Sequence, residues 1–202
     1  MIVKRDRIGL FGGTFDPFHV GHLAIIDEVL NKRLVDSVVV LPTIVDYHRP
    51  GKDKWLSNAD KFEVMSSIIS KSKNCNNIFL DLYEIRMKKS GKIPEEQTKN
   101  WRFINTIERL ESLFKNADVE LFTILGTDSL KNLKTWHRWE EIISKTKIIG
   151  IEGRNDEKII TDIPYISAKI DEKYKNISSS ALRKEYSSVK KYINDTIKQL
   201  DK

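Results

Sequence analysis

The sequence predicts an α/β fold built on a doubly wound parallel sheet, with a helical C-terminal segment. Short apolar runs of strand length alternate along the chain with stretches whose apolar residues recur at helical spacing. This alternation is typical of parallel sheets, because each parallel connection needs a crossover helix. The 202 residues show no internal repeat and no interdomain linker, so we expect a single domain over residues 1–202.

The N-terminal part supplies two predicted strands and one helix. Residues 7–11 form the first apolar run, which leads directly into a pair of glycines. Helical spacing of apolar residues then continues to about Leu34. The valine-rich run 37–41 predicts a buried parallel strand that ends at Pro42.

The next part predicts a capped helix, a third strand and a loop. Ser57 or Asn58 is a preferred residue for starting the helix. We expect its buried face to carry Ala59, Phe62, Met65, Ile68 and Ile69. Residues 78–82 predict the third strand, and the polar stretch 84–100, with Gly91 and Pro94, predicts an irregular loop.

The C-terminal part completes the predicted sheet. Ile104, Ile107, Leu110 and Phe114 mark a helix, and the apolar runs 120–126 and 146–153 predict the fourth and fifth strands. Residues 163–170 predict a sixth strand. From residue 178 onward the pattern is helical, with a break at residues 187–188.

Composition narrows the class of protein. The 35 Lys and Arg residues exceed the 29 Asp and Glu residues by six, an excess that suits nucleic acid or a phosphate-rich small substrate. These charges are spread along the chain, which favours a solvated surface instead, and no nucleic-acid motif is present. The apolar runs are too short to span a bilayer, so we expect no membrane association. The single Cys75 and the absence of a signal-peptide core predict a cytoplasmic location.

The stretch GGTFDPFHVGH, residues 12–22, suits phosphate binding. Gly12 and Gly13 let the backbone approach a ligand, and the following helix presents unpaired N–H groups. His19 and His22 are three residues apart, so they share one side of the first turn and can donate to one polyphosphate. We expect Gly21 to leave room for that ligand. The alternative, a metal pair, lacks a third ligand at suitable spacing, so we predict no protein metal site.

The same eleven residues resemble the signature of the HxGH nucleotidylyltransferase superfamily, which is Rossmann-like. This resemblance implies transfer of a nucleotidyl group from a nucleoside triphosphate with release of pyrophosphate. A second stretch, ISSSALRKE at residues 177–185, is similar to the superfamily's ISSTxxR segment, with Ser180 in the place of Thr. Ser178 or Ser179 can cap a helix there, and Arg183 reaches the same end.

A third stretch, FTILGTDSLKNLKTWHRWEEI at residues 122–142, resembles the bacterial nicotinate-nucleotide adenylyltransferases. The resemblance implies that Asp128 contacts the nucleotide and that Trp136 stacks on the pyridine ring. A core role for Trp136 is the alternative, and we expect it for Trp139 instead. The loop LPTIVDYHRP, residues 41–50, is similar to a family element in which Tyr47 here replaces a proline, while His48 and Arg49 remain.

One departure from the family's pattern leaves the identity of the acceptor nucleotide open. The family carries Ser-Tyr-Thr where this chain has Asn100, Trp101 and Arg102. Arg102 either pairs with a nicotinate carboxylate or points to solvent, so nicotinate and nicotinamide mononucleotide both stay open. Arg154, after the fifth strand, is a further predicted phosphate contact.

The resemblance implies adenylyl transfer from ATP to a pyridine mononucleotide, in NAD biosynthesis. His19, His22 and Arg183 are the predicted catalytic residues. The predicted ATP-binding residues are Gly12, Gly13, Thr14, Phe15, Gly21, Gly126, Asp128, Ile177, Ser178, Ser179 and Ser180. Those predicted for the mononucleotide are His48, Arg49, Trp101, Arg102, Trp136 and Arg154.

The expected mechanism is in-line attack by an acceptor phosphate that is already ionised, without a protein general base. Mg²⁺ is expected to arrive with ATP. The Thr14 hydroxyl either touches the phosphates or shapes the turn, and Asp16 is expected to lock the turn before Pro17. A non-catalytic nucleotide sensor and an adenylyltransferase with another acceptor are the alternatives, and the oligomeric state is open.

Overall fold

A computed structural model describes residues 5–43, 55–90, 102–152 and 161–200. Within these ranges the strands are β1 (Asp6–Gly13), β2 (Ser37–Pro42), β3 (Ile78–Leu80), β4 (Val119–Gly126), β5 (Lys147–Glu152) and β6 (Ile166–Lys169). The helices are α1 (Val20–Asn31), α2 (Asn58–Ile69), α3 (Tyr83–Lys89), α4 (Phe103–Leu113), α5 (Thr127–Lys131), α6 (Trp139–Lys145), α7 (Glu172–Lys175), α8 (Ser179–Glu185) and α9 (Val189–Leu200). The predicted site residues His48, Arg49, Trp101 and Arg154 lie outside the described residues.

The six strands form one parallel sheet in the order β3-β2-β1-β4-β5-β6. This order confirms the predicted doubly wound architecture, whose direction of winding reverses between β1 and β4. Pairing between β1 and β4 ends at Leu10 with Thr123, although both strands continue for three more residues. On their other sides, Gly13 still pairs with Pro42 and Gly126 with Ile151. The sheet therefore parts at the carboxyl ends of its two central strands.

Hydrophobic clusters cover both faces of the sheet. Alternate residues of β1 point to opposite faces, so Phe11 joins one cluster and Leu10 joins the other. The first cluster receives apolar side chains from α1, α2 and α9, and the second receives them from α4, α5 and α6. Both faces of a parallel sheet are thereby buried, as an α/β fold requires.

The buried face of α2 differs from the predicted one. Met65, Ile68 and Ile69 are buried as expected, but Ala59 is exposed and the Phe62 side chain is 47% exposed. Lys61 is buried in their place at 1% exposure, and its ammonium donates to the Thr14 carbonyl oxygen at 2.7 Å. The hydrogen bond and the aliphatic stem of this lysine make its burial possible.

The predicted loop over residues 84–100 is wrong at its start, where α3 occupies Tyr83–Lys89. The Asp81 carboxylate accepts a hydrogen bond from the Tyr83 N–H at 2.8 Å, which supports the first turn. Glu84 lies in that first turn, where its charge favours the helix dipole. Gly91 and Pro94, which predicted the loop, lie outside the described residues.

Other boundaries shift slightly. Helix α1 ends at Asn31, earlier than Leu34, and Arg33 adopts a left-handed backbone with φ of 53°. The sixth strand is shorter than predicted, covering Ile166–Lys169. The break in the C-terminal helix lies between α8 and α9, as predicted. Among the described residues, no helix is long and apolar enough to cross a membrane.

Two glycines provide a test of the packing behind this fold. A Cβ at Gly150 would lie 2.6 Å from the Tyr165 ring and 2.8 Å from a Leu130 methyl group, whereas a Cβ at Gly126 would meet nothing within 4 Å. We expect Gly150→Ser to lower the free energy of unfolding by about 1–3 kcal/mol through overpacking. Gly126→Ser, the matched control, is expected to change it by less than about 0.5 kcal/mol because serine suits the helix start there. Urea unfolding of both variants measures this, and equal losses would contradict it.

Candidate active site

A tight turn connects β1 to α1 at the parting of the sheet. Phe15 adopts a left-handed backbone with φ of 45°, which folds its ring back over Gly13. A Cβ at Gly13 would lie 2.7 Å from that ring, so only glycine fits there. The Phe15 ring is buried and packs edge-on against Phe18 and against the imidazole of His22. The rings of Phe15 and Phe18 thus both pack against His22.

His19 and His22 stack face to face at the start of α1. Their ring centroids are 3.7 Å apart and the rings are inclined by 21°, which confirms that the pair shares one side of the first turn. His19 is the N-cap residue and is only 4% exposed, whereas His22 is half-buried. His22 therefore has the larger accessible surface of the two. The first turn of α1 carries no acidic residue that would repel an anion.

The hydrogen bond between the two histidines fixes a tautomer. The backbone N–H of His19 donates to Nδ1 of His22 at 3.2 Å. A nitrogen that accepts carries no proton, so in the neutral ring the proton of His22 is on Nε2. Nε2 is then the nitrogen that can donate a hydrogen bond to a ligand oxygen.

Gly21 packs directly against one ring of the histidine pair. A Cβ at this position would lie 3.1 Å from Nδ1 of His19 and 3.4 Å from the Tyr174 carbonyl oxygen. The His19 ring and the Tyr174 carbonyl oxygen thus lie next to this glycine, and room for the ligand at Gly21 stays a prediction. The glycine between the histidines allows them to stack.

The C-terminal segment is anchored on the same turn. Of the two serines predicted as the cap, Ser178 caps α8 by accepting from the Ala181 N–H at 3.2 Å. The Ser179 hydroxyl donates to the Pro17 carbonyl oxygen at 2.9 Å, and the Arg183 guanidinium donates to the Asp16 carbonyl oxygen. Arg183 also donates to the exposed Ser180 hydroxyl at 3.0 Å. Both halves of the predicted triphosphate site therefore meet at residues 16–17.

Asp16 holds the turn, but through a partner that we did not predict. Its buried carboxylate accepts hydrogen bonds from the N–H groups of Trp55 at 3.1 Å and Leu56 at 2.8 Å. These residues lie just before α2, so the carboxylate fastens the start of α2 to the turn. The charge of Asp16 is thereby engaged by peptide groups.

Two aromatic residues lie beside the end of β1. Gly12 lies under Phe103, whose ring is 3.2 Å from where a Cβ of Gly12 would be. Phe103 packs edge-on against Trp136, with ring centroids 5.6 Å apart. Trp136 is half-buried at this position, and so is Trp139, which lies under the Lys134 ammonium. Trp136 thus contacts the ring that covers Gly12 and also packs against the second hydrophobic cluster.

The remaining predicted residues that the structure describes differ in their exposure. Gly126 is half-buried and caps α5, and Asp128 is exposed in the first turn of that helix. Arg102 is half-buried at the N-cap of α4, where its backbone N–H donates to the Asn105 side chain at 2.9 Å. Thr14 and Ile177 are both half-buried.

Comparison with known proteins identifies the family. Residues 10–185 match the cytidylyltransferase-like family. A probable nicotinate-nucleotide adenylyltransferase of Clostridium botulinum (strain Alaska E43) is 33% identical over 165 residues, which cover 81% of this chain and 74% of that protein. The chain belongs to the nicotinate-nucleotide adenylyltransferase family. A probable nicotinate-nucleotide adenylyltransferase of Fusobacterium nucleatum is 29% identical and aligns over 96% of both chains.

Solved structures of this family share the fold. The nicotinic acid mononucleotide adenylyltransferase of Plasmodium falciparum, solved in complex with NaAD, superposes with a TM-score of 0.70 at 23% identity. The superposition covers 89% of this chain and 83% of that one. At 23% identity, this likeness shows that the two proteins share a fold.

The turn also depends on residues that the sequence did not single out. Lys61 and Tyr192 both donate to carbonyl oxygens of the turn, at Thr14 and at Phe18 respectively. The sequence feature that could have identified Lys61 is that it is a charged residue within the apolar face of α2. Among the described residues, no group of three His, Cys, Asp or Glu side chains could hold a metal ion.

Proposed function

We propose that this protein transfers the adenylyl group of ATP to nicotinate mononucleotide, forming the dinucleotide and pyrophosphate in NAD biosynthesis. The observation that carries the proposal is the stacked pair His19 and His22 on the same turn that Arg183 contacts. Membership of the nicotinate-nucleotide adenylyltransferase family supports the choice of substrates. We further propose that residues 1–202 form one catalytic domain that acts in the cytoplasm.

The proposed reaction needs little bond chemistry from the protein's own side chains. The acceptor phosphate has a second pKa of about 6, so it is ionised near neutral pH and no general base is required. Its oxygen attacks the α-phosphorus of ATP, and the bond to the β-phosphate oxygen breaks to release pyrophosphate. The difficulty is that two polyanions must meet, so positioning and charge stabilisation supply most of the rate.

His22 is well suited to the charge that develops on the bridging oxygen. Its Nε2 carries the proton because Nδ1 accepts from the His19 N–H at 3.2 Å. An Nε2–H donor held by a peptide group needs no reorganisation as the transition state forms. His19 is buried against it, so in this proposal its ring orients His22 and donates to the same phosphates from the inner side.

Arg183 and the serines at the start of α8 bind the β- and γ-phosphates in this proposal. The guanidinium donates to the Asp16 carbonyl oxygen and to the Ser180 hydroxyl. The rest of its five N–H donors can bind phosphate oxygens. ATP enters as its magnesium complex, with Mg²⁺ held mainly by phosphates and water. Gly12, Gly13, Thr14, Phe15 and Gly21 shape the turn beneath the phosphates, and Gly126 and Asp128 border the nucleotide.

The pyridine nucleotide occupies the wall formed by Phe103 and Trp136 in this proposal. The face of Trp136 suits an electron-poor pyridinium ring. Arg102 lies at the N-cap of α4, beside Phe103, so its guanidinium is the candidate partner for the nicotinate carboxylate. His48, Arg49, Trp101 and Arg154 remain predicted contacts of the mononucleotide.

The proposed reaction is tested by pyrophosphate release with ATP and three acceptors in parallel. We expect release with nicotinate mononucleotide, and a lower kcat/KM with nicotinamide mononucleotide, because the amide cannot form an ion pair with Arg102. Phosphopantetheine is the control acceptor and is expected to give none. No release with either pyridine nucleotide would overturn the assignment, and equal kcat/KM for both would remove Arg102 from acceptor selection.

The role of His22 is tested by His22→Ala. We expect kcat to fall about 10²-fold or more, because a donor to the transition state is lost, while the unfolding midpoint shows that the protein still folds. His137→Ala is the matched control, since that histidine is exposed. A kcat close to that of the unchanged protein would contradict the assigned role.

The role of Trp136 is tested by the ratio of two KM values. Trp136→Ala is expected to raise KM for the pyridine nucleotide about tenfold and to leave KM for ATP nearly unchanged, because one stacking surface of about 1–3 kcal/mol is lost. Trp139→Ala, the same change three residues later, is expected to lower stability without a selective change in KM. If Trp136→Ala raised both KM values equally, a core role would be the better explanation.

A further inference from the structure

One peptide group connects the last helix to the active-site histidines. The carbonyl oxygen of Phe18 accepts a hydrogen bond from the Tyr192 hydroxyl at 2.6 Å. The N–H of the same peptide unit belongs to His19 and donates to Nδ1 of His22 at 3.2 Å. The C=O and N–H of a peptide lie in one rigid plane, so the hydroxyl on one side sets the direction of the donor on the other.

Tyr192 is built into the fold as a fixed donor. Its side chain is 1% exposed in the middle of α9. The ring packs edge-on against Trp55, with centroids 5.9 Å apart, and against Tyr186, with centroids 5.2 Å apart. Burial raises the pKa of the Tyr192 hydroxyl, partly opposed by a side-chain hydrogen bond with Thr196. The hydroxyl therefore stays protonated and remains a donor.

The position of this contact sets it apart from ordinary core packing. A buried carbonyl requires some donor, but the Phe18 carbonyl belongs to the very peptide that determines the tautomer of His22. If the plane rotates, the His19 N–H leaves Nδ1, and the imidazole proton of His22 is free to move to Nδ1. Nε2 would then be an acceptor facing anionic oxygens, which is unfavourable.

We propose that Tyr192 is a positioning residue for His22, whose hydroxyl orients the Phe18–His19 peptide and so keeps the His22 proton on Nε2. This inference rests on the proposed function only for its kinetic consequence. It gives the C-terminal helix α9 a part in the reaction, although α9 contributes no side chain that touches the substrates in this proposal.

The first test is spectroscopic and needs no substrate. Long-range ¹H–¹⁵N correlation spectra of the full chain distinguish the two imidazole tautomers, and the chain has only four histidines. The signal of His22 is assigned by its loss in His22→Ala. We expect the Nε2–H tautomer in the unchanged protein and a mixture of tautomers in Tyr192→Phe. A His22 that is Nδ1–H in the unchanged protein overturns the proposal, whatever the enzyme turns out to catalyse.

The second test is kinetic and uses a matched pair of variants. Tyr192→Phe removes one hydroxyl and keeps the ring, and Tyr186→Phe makes the same change on the neighbouring ring. We expect Tyr192→Phe to lower kcat by about 10- to 100-fold, as for a small misplacement of a catalytic group, with both KM values within about twofold. Tyr186→Phe is expected to keep kcat and the His22 tautomer.

The outcomes separate a positioning role from a structural one. Thermal unfolding is measured for both variants, since the loss of the hydroxyl leaves the Phe18 carbonyl without its donor. A Tyr192→Phe protein that is less stable but keeps kcat within twofold and an Nε2–H His22 shows a structural role only, and the proposal fails. Equal losses of kcat in the two variants also refute it. Failure of adenylyl transfer in the unchanged protein would refute the proposed function alone, because the tautomer spectra remain interpretable.

Discussion

The site depends on how the carbonyl groups of one short turn are satisfied. A turn that presents N–H groups to an anion turns carbonyl oxygens into the protein, where each needs a donor. Between β1 and α1 these donors come from side chains: Lys61 to Thr14, Arg183 to Asp16, Ser179 to Pro17 and Tyr192 to Phe18. The geometry of the histidines therefore depends on α2 and on the last two helices as much as on the turn itself.

These contacts span most of the chain. Ser179 lies 162 residues after Pro17, and Tyr192 lies 174 residues after Phe18. The turn is therefore held by side chains of α8 and α9, two helices that pack in the same hydrophobic cluster as α1 and α2. Such long-range contacts cost loop-closure entropy, which the buried side chains of α9 help to offset.

The sequence allowed the sheet, the histidine pair and the cap at Ser178 to be predicted, because each follows from local spacing or local hydrogen bonding. Lys61, α3 and the packing of the His19 ring against Gly21 were not predicted. Lys61 is buried because a carbonyl 47 residues away needs a donor, and Gly21 is small because a neighbouring imidazole folds over it. Such requirements arise from tertiary contacts, which periodicity and propensity do not encode. Roles of individual residues toward ATP and the mononucleotide remain predictions.

Because β1 and β4 separate after Leu10 and Thr123, the sheet has two unpaired strand edges at its centre. Backbone groups without a strand neighbour normally invite pairing with another chain. Here the two edges lie in the interior of the sheet, each backed by a paired strand on its far side. The sheet can thus part at its centre without offering a foreign strand a place to add.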